Sequence, residues 1–150
     1  MSDLRELYQE LIVDHGRRPR NFCVLHDANH CKEGYNPLCG DKITVYLLEQ
    51  KGIIQAISFQ GVGCAISMAS ASLMTEAIKG KTYTQAKQLC ADFHALVTEY
   101  NRSDGHENNL GKLVVLSGVA QFPARVKCAT LAWHTLLAAI DNDAQPISTE

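Results

Sequence analysis

Three cysteines and one aspartate carry the chemistry this sequence offers. Cys39 lies in Asn36-Pro37-Leu38-Cys39-Gly40-Asp41, Cys64 in Gly61-Val62-Gly63-Cys64-Ala65-Ile66-Ser67, and Cys128 in Arg125-Val126-Lys127-Cys128-Ala129. They are so far apart in the chain that only a folded domain could unite them. Each has neighbours that suit a metal-binding or reactive thiol: a Pro and a Gly that shape a tight turn, two Gly that open the backbone, or two cations that favour thiolate. Asp41 follows Cys39 by two residues and supplies a fourth ligand of the hard, oxygen type. Three thiolates and one carboxylate suit zinc or iron, with the carboxylate as the weaker, more labile corner. Residue types alone leave a second reading open, because scattered cysteines are also commonly buried as small hydrophobes.

Placement decides how such thiols behave, since a free thiol with a pKa of roughly 8.5 stays mostly protonated until a metal or nearby cations lower it. Cys39 and Asp41 straddle Gly40 in a loop leading into a strand, so both side chains can turn toward one ion. Cys64 falls at a strand-to-helix junction, where the positive end of the helix dipole is worth about 0.3 to 1 kcal/mol. Cys128 belongs to the first or second turn of the last helix, with Arg125 and Lys127 beside it.

The elements that must position these residues are legible from periodicity. Leu4, Leu7, Tyr8, Leu11, Ile12 and His15 predict an amphipathic helix over residues 3–15, ended by Gly16 and the cluster Arg17-Arg18-Pro19-Arg20. Residues 21–40 read as an irregular segment or a short edge strand. Residues 42–49 and 53–59 alternate around Gln50-Lys51-Gly52 and predict a β-hairpin. Residues 66–78 predict a helix ending near Gly80, and Thr84 is placed to cap another running to about Val97. Residues 99–109 read as an exposed polar loop, 113–119 as a short helix, and Pro123 as the first turn of a last helix to about Ile140. A single domain over 1–140 followed by a polar tail, 141–150, is the expected organisation.

The totals agree with one sizeable core, because 150 residues with 46% hydrophobic content need no disulfide help. A net charge of -2 and a pI near 6.3 argue against a phosphate-binding surface and hence a nucleic-acid partner. The charged N-terminus does not suit a secretory signal, and no apolar run reaches the length of a membrane span, so a cytoplasmic location with no membrane partner is expected. Six cysteines in such a chain are expected to stay reduced. Cys23, Cys31 and Cys90 read as spare structural thiols, with Cys31 also considered as a sulfur relay to Cys39. His26 and His30 have a metal-binding helical spacing, but their irregular segment makes them read as surface residues. A cysteine hydrolase would need a His to activate its nucleophile, and none of the six lies beside a motif cysteine in sequence.

Asn36 to Asp41 resembles the Asn-Pro-x-Cys-Gly-Asp motif of U-type iron-sulfur cluster assembly proteins, and Gly61 to Ser67 resembles their Gly-x-Gly-Cys-x-Ile-Ser motif. The third context, Phe122-Pro123-Ala124-Arg125-Val126-Lys127-Cys128-Ala129-Thr130-Leu131-Ala132-Trp133, is similar to the SUF-type branch, as is the opening from Leu7-Tyr8 through Asp14-His15 to Pro19-Arg20-Asn21. Lys127 stands where the ISC-type branch carries a His, and Phe122-Pro123-Ala124-Arg125 replaces that branch's Leu-Pro-Pro-Val-Lys chaperone stretch. The polar segment 99–111 matches an insertion of the SUF-type branch. The chain is thus identified as a member of the SufU-like group of the IscU/NifU-N-terminal family.

That resemblance implies an α+β fold, a small antiparallel sheet with helices packed on one face. It implies that Cys39, Asp41, Cys64 and Cys128 bind one metal, zinc, or hold a transient iron-sulfur cluster in the same place. Cys39 is the implied acceptor of persulfide sulfur from a SufS-type cysteine desulfurase, with downstream iron-sulfur assembly or carrier proteins as recipients. Arg125 and Lys127 are accessory candidates that would guide an anionic sulfur. On this reading the protein is a sulfur acceptor and scaffold rather than a stand-alone enzyme. The alternative is a zinc-stabilised binding module without sulfur transfer.

Overall fold

Ile43, Val45 and Leu47 are fully buried while Thr44, Tyr46 and Leu48 between them are only half covered. That alternation makes residues 41–50 the central strand of a sheet with one face packed and one open, each buried aliphatic contributing about 1.5 to 3 kcal/mol of transfer free energy. The computed structural model describes residues 2–98, 110–141 and 147–148. Its strands are β1 (His30–Asn36), β2 (Asp41–Gln50), β3 (Ile53–Val62) and β4 (Ile147–Ser148), in the order β3-β2-β1-β4. The first three pair antiparallel and β4 lies parallel to β1, opposite Gly34 and Tyr35. Residues 21–40 thus hold an irregular stretch up to residue 29 and then the strand β1, which lies between β2 and β4 rather than at the edge, and the expected polar tail includes two residues that extend the sheet.

The β2–β3 hairpin carries an irregularity that simple alternation does not predict. Between Leu48 and Glu49 the pairing shifts, so that Ala56 faces Leu48 while Ile54 faces Glu49. The extra residue flips the parity, and Ile54 joins Ile57 and Phe59 in the core while Ile53 stays half-buried.

Four α-helices and one 3-10 helix complete the described structure: α1 (Ser2–Arg17), α2 (Ala65–Ile78), α3 (Tyr83–Thr98), the 3-10 helix (Gly111–Gln121) and α4 (Pro123–Asp141). α4 crosses β1 and β2, α2 packs on β3 and α4, and α1 and α3 lie outside them. No helix among the described residues is long and apolar enough to cross a membrane. The cap of α3 is Thr82, not Thr84: Gln85 N–H donates to Thr82 Oγ1 at 3.1 Å and Thr82 N–H to Gln85 Oε1 at 3.0 Å, a reciprocal capping box. Leu110, Leu113, Leu116 and Val119 recur every third residue and are all buried, the stripe that three residues per turn would align. This explains why the expected short helix is 3-10 and longer. The polar segment read as a loop, 99–109, lies outside the described residues.

Two features fix α4 against the rest. A Cβ on Gly34 would collide with Thr135 Oγ1, so the missing side chain lets α4 rest directly on β1. Trp133 Nε1 donates to Ser70 Oγ at 3.1 Å, and Ser70 Oγ donates to the Ala129 carbonyl at 2.6 Å, pinning α4 to α2. Phe93 stacks on Trp133 with ring centroids 4.5 Å apart. The helix that carries Cys128 is therefore held rigidly relative to the strand end and helix start that carry the other motif residues.

Candidate functional site: a thiol and carboxylate cluster

Asn36 and Asp41 close the β1–β2 ladder as its last pair, and the chain between them turns back on itself with Cys39 N–H donating to the Asn36 carbonyl at 3.3 Å. Gly40 has φ +70, a left-handed conformation that suits glycine. The turn leaves Cys39 exposed while Asp41 is 2% exposed. The Asn-Pro-x-Cys-Gly-Asp sequence thus presents a thiol at a hairpin tip and tucks the carboxylate beneath it.

The second motif supplies the carboxylate's anchor. Cys64 backbone N–H donates to Asp41 Oδ1 at 2.9 Å. Gly63 makes that approach feasible, since a Cβ there would lie 2.6 Å from the same oxygen. Cys64 is the N-cap of α2, and its Sγ accepts the Ser67 N–H at 3.5 Å. The expected strand-to-helix placement is therefore observed, with the thiol satisfying a free donor of the helix start.

Cys128 lies in the second turn of α4, 2% exposed. Its Sγ is 3.2 Å from Cys39 Sγ. Burial, then hydrogen bonding with Cys39, Asp41 and Cys64 and the charge on Cys64, push the Cys128 thiol far above the ordinary thiol range. A group this averse to ionising alone would be deprotonated most readily by a cation placed among these ligands.

Cys39, Asp41 and Cys128 bring one ligand atom each within 4.8 Å of one another. Two soft sulfurs and one oxygen at that spacing fit a zinc-type or iron-type ion. Cys64 is outside this compact set, its sulfur engaged at the cap of α2, although it is close enough to Cys128 to affect its ionisation. Arg125 is exposed with its guanidinium 5.7 Å from the Phe122 ring centroid, and Lys127 is half-buried. Neither cation pairs with the cluster among the described residues.

Asn36 is the residue that sequence reasoning missed. Fully buried, its Nδ2 donates to Asp41 Oδ2 at 3.3 Å and to Cys128 Sγ at 3.5 Å. Only its place in the motif hinted at this, because the contact depends on strand register.

The spare cysteines and the histidines fall elsewhere. Cys90 is buried and its thiol is pushed up to about 12. Cys31 sits opposite Tyr46, five residues up β1 from Asn36, and burial and Glu33 raise its thiol. At roughly 3.3 Å per residue that distance is too great for direct relay to Cys39. His30 is not a free surface residue: Nδ1 lies 2.9 Å from the Ala139 carbonyl and Nε2 3.1 Å from Tyr83 Oη. His15, Ser72 and Glu76 have the residue types of a hydrolytic triad, yet Ser72 is 0% and His15 2% exposed, so no substrate reaches them. No described histidine bonds to a cluster thiol.

Fold and site together define a small α+β protein with a thiol and carboxylate cluster at the end of its sheet, shared between a hairpin tip, a strand-to-helix junction and a helix. The chain belongs to the NifU-like N-terminal domain family, which it matches over residues 7–129. It is 42% identical over 135 residues to the zinc-dependent sulfurtransferase SufU of Bacillus subtilis, covering 90% of each chain. It is 38% identical to the iron-sulfur cluster assembly scaffold protein IscU of Streptococcus pyogenes, covering 96% of this chain and 89% of that one. A crystal structure of a candidate SUF-system scaffold protein from Fervidobacterium islandicum superposes with a TM-score of 0.82 at 34% identity, over 91% of this chain and 98% of the other. The N-terminal part of a NifU-like protein from Brucella abortus shares the fold at 19% identity, with a TM-score of 0.80 over 94% of this chain and 99% of the other.

Proposed function

We propose that this protein serves iron-sulfur cluster assembly by accepting sulfane sulfur at Cys39 from a SufS-type cysteine desulfurase, within a site where Cys39, Asp41, Cys64 and Cys128 hold one zinc ion. The observation that carries this reading is the contrast within the cluster: Cys39 is exposed in a turn while Asp41 and Cys128 are buried behind it. A thiol so placed can leave its neighbours and meet a donor while the remaining groups keep their positions. Bound zinc would keep the thiols in their deprotonated form.

The transfer is a thiolate exchange. Cys39 thiolate attacks the terminal sulfur of a persulfide on the donor's cysteine, the donor's sulfur-sulfur bond breaks, and its cysteine departs as thiolate. Cys39 then carries the persulfide, and no oxidant or reductant is consumed. Asp41, fixed by Cys64 N–H, keeps its place when Cys39 moves out. Arg125, exposed one turn before Cys128, is placed to meet the anionic sulfur, with Lys127 behind it.

Exposed apolar side chains support the approach of a protein donor. Leu38 is 67% exposed beside Cys39, Val62 66% two residues before Cys64, and Phe122 55% at the start of α4. Large hydrophobes left bare on the very segments that build a site favour a protein partner over a small solute. The working location consistent with this role is the cytoplasm.

The relatives' descriptions divide between a zinc-dependent sulfurtransferase and a cluster scaffold. Incubation with a cysteine desulfurase, cysteine and ferrous iron without oxygen, followed by native mass spectrometry, separates these roles. One added sulfur with zinc retained, abolished in Cys39→Ser, is the expected result. Iron plus sulfide in place of zinc would mean that the same ligands build a cluster, a scaffold role. Unaltered mass, with Cys39→Ser and Cys64→Ser behaving alike, would mean a zinc-stabilised module without sulfur transfer.

A further inference from the structure

We infer that Asn36 is a positioning residue of the metal site, whose side-chain amide aims Asp41 and Cys128 at a single thiophilic divalent cation; the inference rests on the metal-holding reading above. Asn36 puts a polar group in an unfavourable place. Asn36 is 0% exposed, and its Oδ1 is buried with no hydrogen-bond partner among the described residues. A buried amide oxygen left unpaired disfavours folding, and an apolar side chain of similar size would remove that disadvantage. What the residue does in return lies on its nitrogen.

That nitrogen carries two N–H groups and has two acceptors, Asp41 Oδ2 at 3.3 Å and Cys128 Sγ at 3.5 Å. The acceptors belong to different elements, one to the start of β2 and one to α4. Asn36 itself is anchored by the ladder, paired with Asp41 as the last residue of β1. A single planar amide therefore ties the hairpin's carboxylate to the helix's thiol. Asp41 Oδ1 is held separately by Cys64 N–H at 2.9 Å. With both carboxylate oxygens fixed and the sulfur tied to one of them, the ligand set keeps its shape before any ion arrives. Ligand-orienting partners of this kind typically account for about 10- to 100-fold in metal affinity.

Asn36→Leu keeps the heavy-atom branching and removes both donors, and Asn36→Ala removes the bulk as well. Zinc affinity of the purified chain, read by competition with a chromophoric chelator, is expected to fall about 10- to 100-fold in both. The metal-free Asn36→Leu protein is expected to unfold at a lower temperature than the parent, because buried Asp41 Oδ2 and Cys128 Sγ lose their donor, so affinity is compared at a temperature where both proteins are folded. Cobalt(II) in place of zinc gives a visible d–d spectrum that reports ligand geometry, and its bands are expected to shift in Asn36→Leu. Equal zinc affinity and superimposable cobalt spectra in variant and parent would overturn the positioning role. Should both variants fail to fold, the unsubstituted protein decides: the side-chain amide resonances of Asn36 must move on stoichiometric zinc addition, and unmoved resonances overturn the role. If the unsubstituted protein takes up neither zinc nor cobalt, the metal-holding reading itself falls, and the positioning role with it.

Discussion

Cys39 Sγ and Cys128 Sγ lie 3.2 Å apart, one thiol exposed at a hairpin tip and the other buried on α4. Strand β1 and helix α4 are packed so closely at Gly34 that no side chain fits between them, which fixes the hairpin tip over the second turn of the helix. The pair therefore joins an accessible sulfur to one that solvent barely touches.

This proximity has a redox consequence. A disulfide needs sulfurs about 2.05 Å apart, so the two thiols need to close by only roughly 1 Å. In the metal-free protein, the mild oxidant diamide is expected to remove two hydrogens and form a Cys39–Cys128 disulfide before any other intramolecular pair. Zinc-loaded protein is expected to resist, because ligand sulfurs are not free to attack. Peptide mapping by mass spectrometry checks the linkage, and a first disulfide between Cys39 and Cys64 instead would show that the observed spacing does not govern reactivity.

Two glycines two residues apart separate the fold from the site. A Cβ on Gly61, whose φ is +151, would collide with the backbone carbonyl of Lys42 in the neighbouring strand, and backbone cannot step aside. Gly61→Ala is therefore expected to destabilise the fold by about 2 kcal/mol or more. At Gly63 the obstacle is the end of a side chain, Asp41 Oδ1 at 2.6 Å and Cγ at 3.2 Å. Asp41 can give way only by loosening its bond to Cys64 N–H, so Gly63→Ala is expected to lose less stability than Gly61→Ala while zinc affinity falls about tenfold or more. Urea unfolding and chelator competition on the two variants test the split, and equal loss of stability in both would remove the distinction.

The same neighbourhood shows what a sequence reveals and what it withholds. Cys39, Asp41 and Cys128 are legible because chemistry restricts which residue types stand beside a reactive thiol, and their motifs are local. The hairpin and helices are legible because Ile43, Val45 and Leu47 or Leu89, Phe93 and Leu96 repeat at the period of their element. Asn36 and Gly63 act only through partners that the β1–β2 and β2–β3 registers bring to them, and register is a long-range property. Cys64 shows the converse, since the backbone, which no motif describes, holds Asp41 while its sulfur caps α2. Thr82 and Thr84 both suit a cap, and Gln85 decides for Thr82 by reaching back to it. The bulge past Leu48 hides because Ile53 and Ile54 are equally apolar, so either parity satisfies the pattern.

Away from the cluster, His15 makes stability depend on pH. Its Nδ1 lies 2.7 Å from Ser72 Oγ, which also accepts the Arg20 N–H at 2.8 Å and keeps its own proton to donate to the neutral imidazole. Burial is the main reason that the His15 pKa is lowered from 6.5, with Arg20 and Lys112 adding to it and Glu76 and Asp14 opposing. His134 shifts in the same direction, through burial and the neighbouring His94. For such groups the unfolded chain binds protons more readily than the folded one. The stability they contribute is complete above about pH 6.5 and is lost as pH falls through the folded-state values. His15→Asn retains an oxygen acceptor for the Ser72 hydroxyl but does not titrate. Urea unfolding from about pH 7.5 to about pH 5 is expected to show a steeper loss of stability in the parent than in His15→Asn, with His134 accounting for the remaining slope. Identical slopes would mean that protonation of His15 is tolerated in the folded state, and that its bond to Ser72 does not hold α1 against α2.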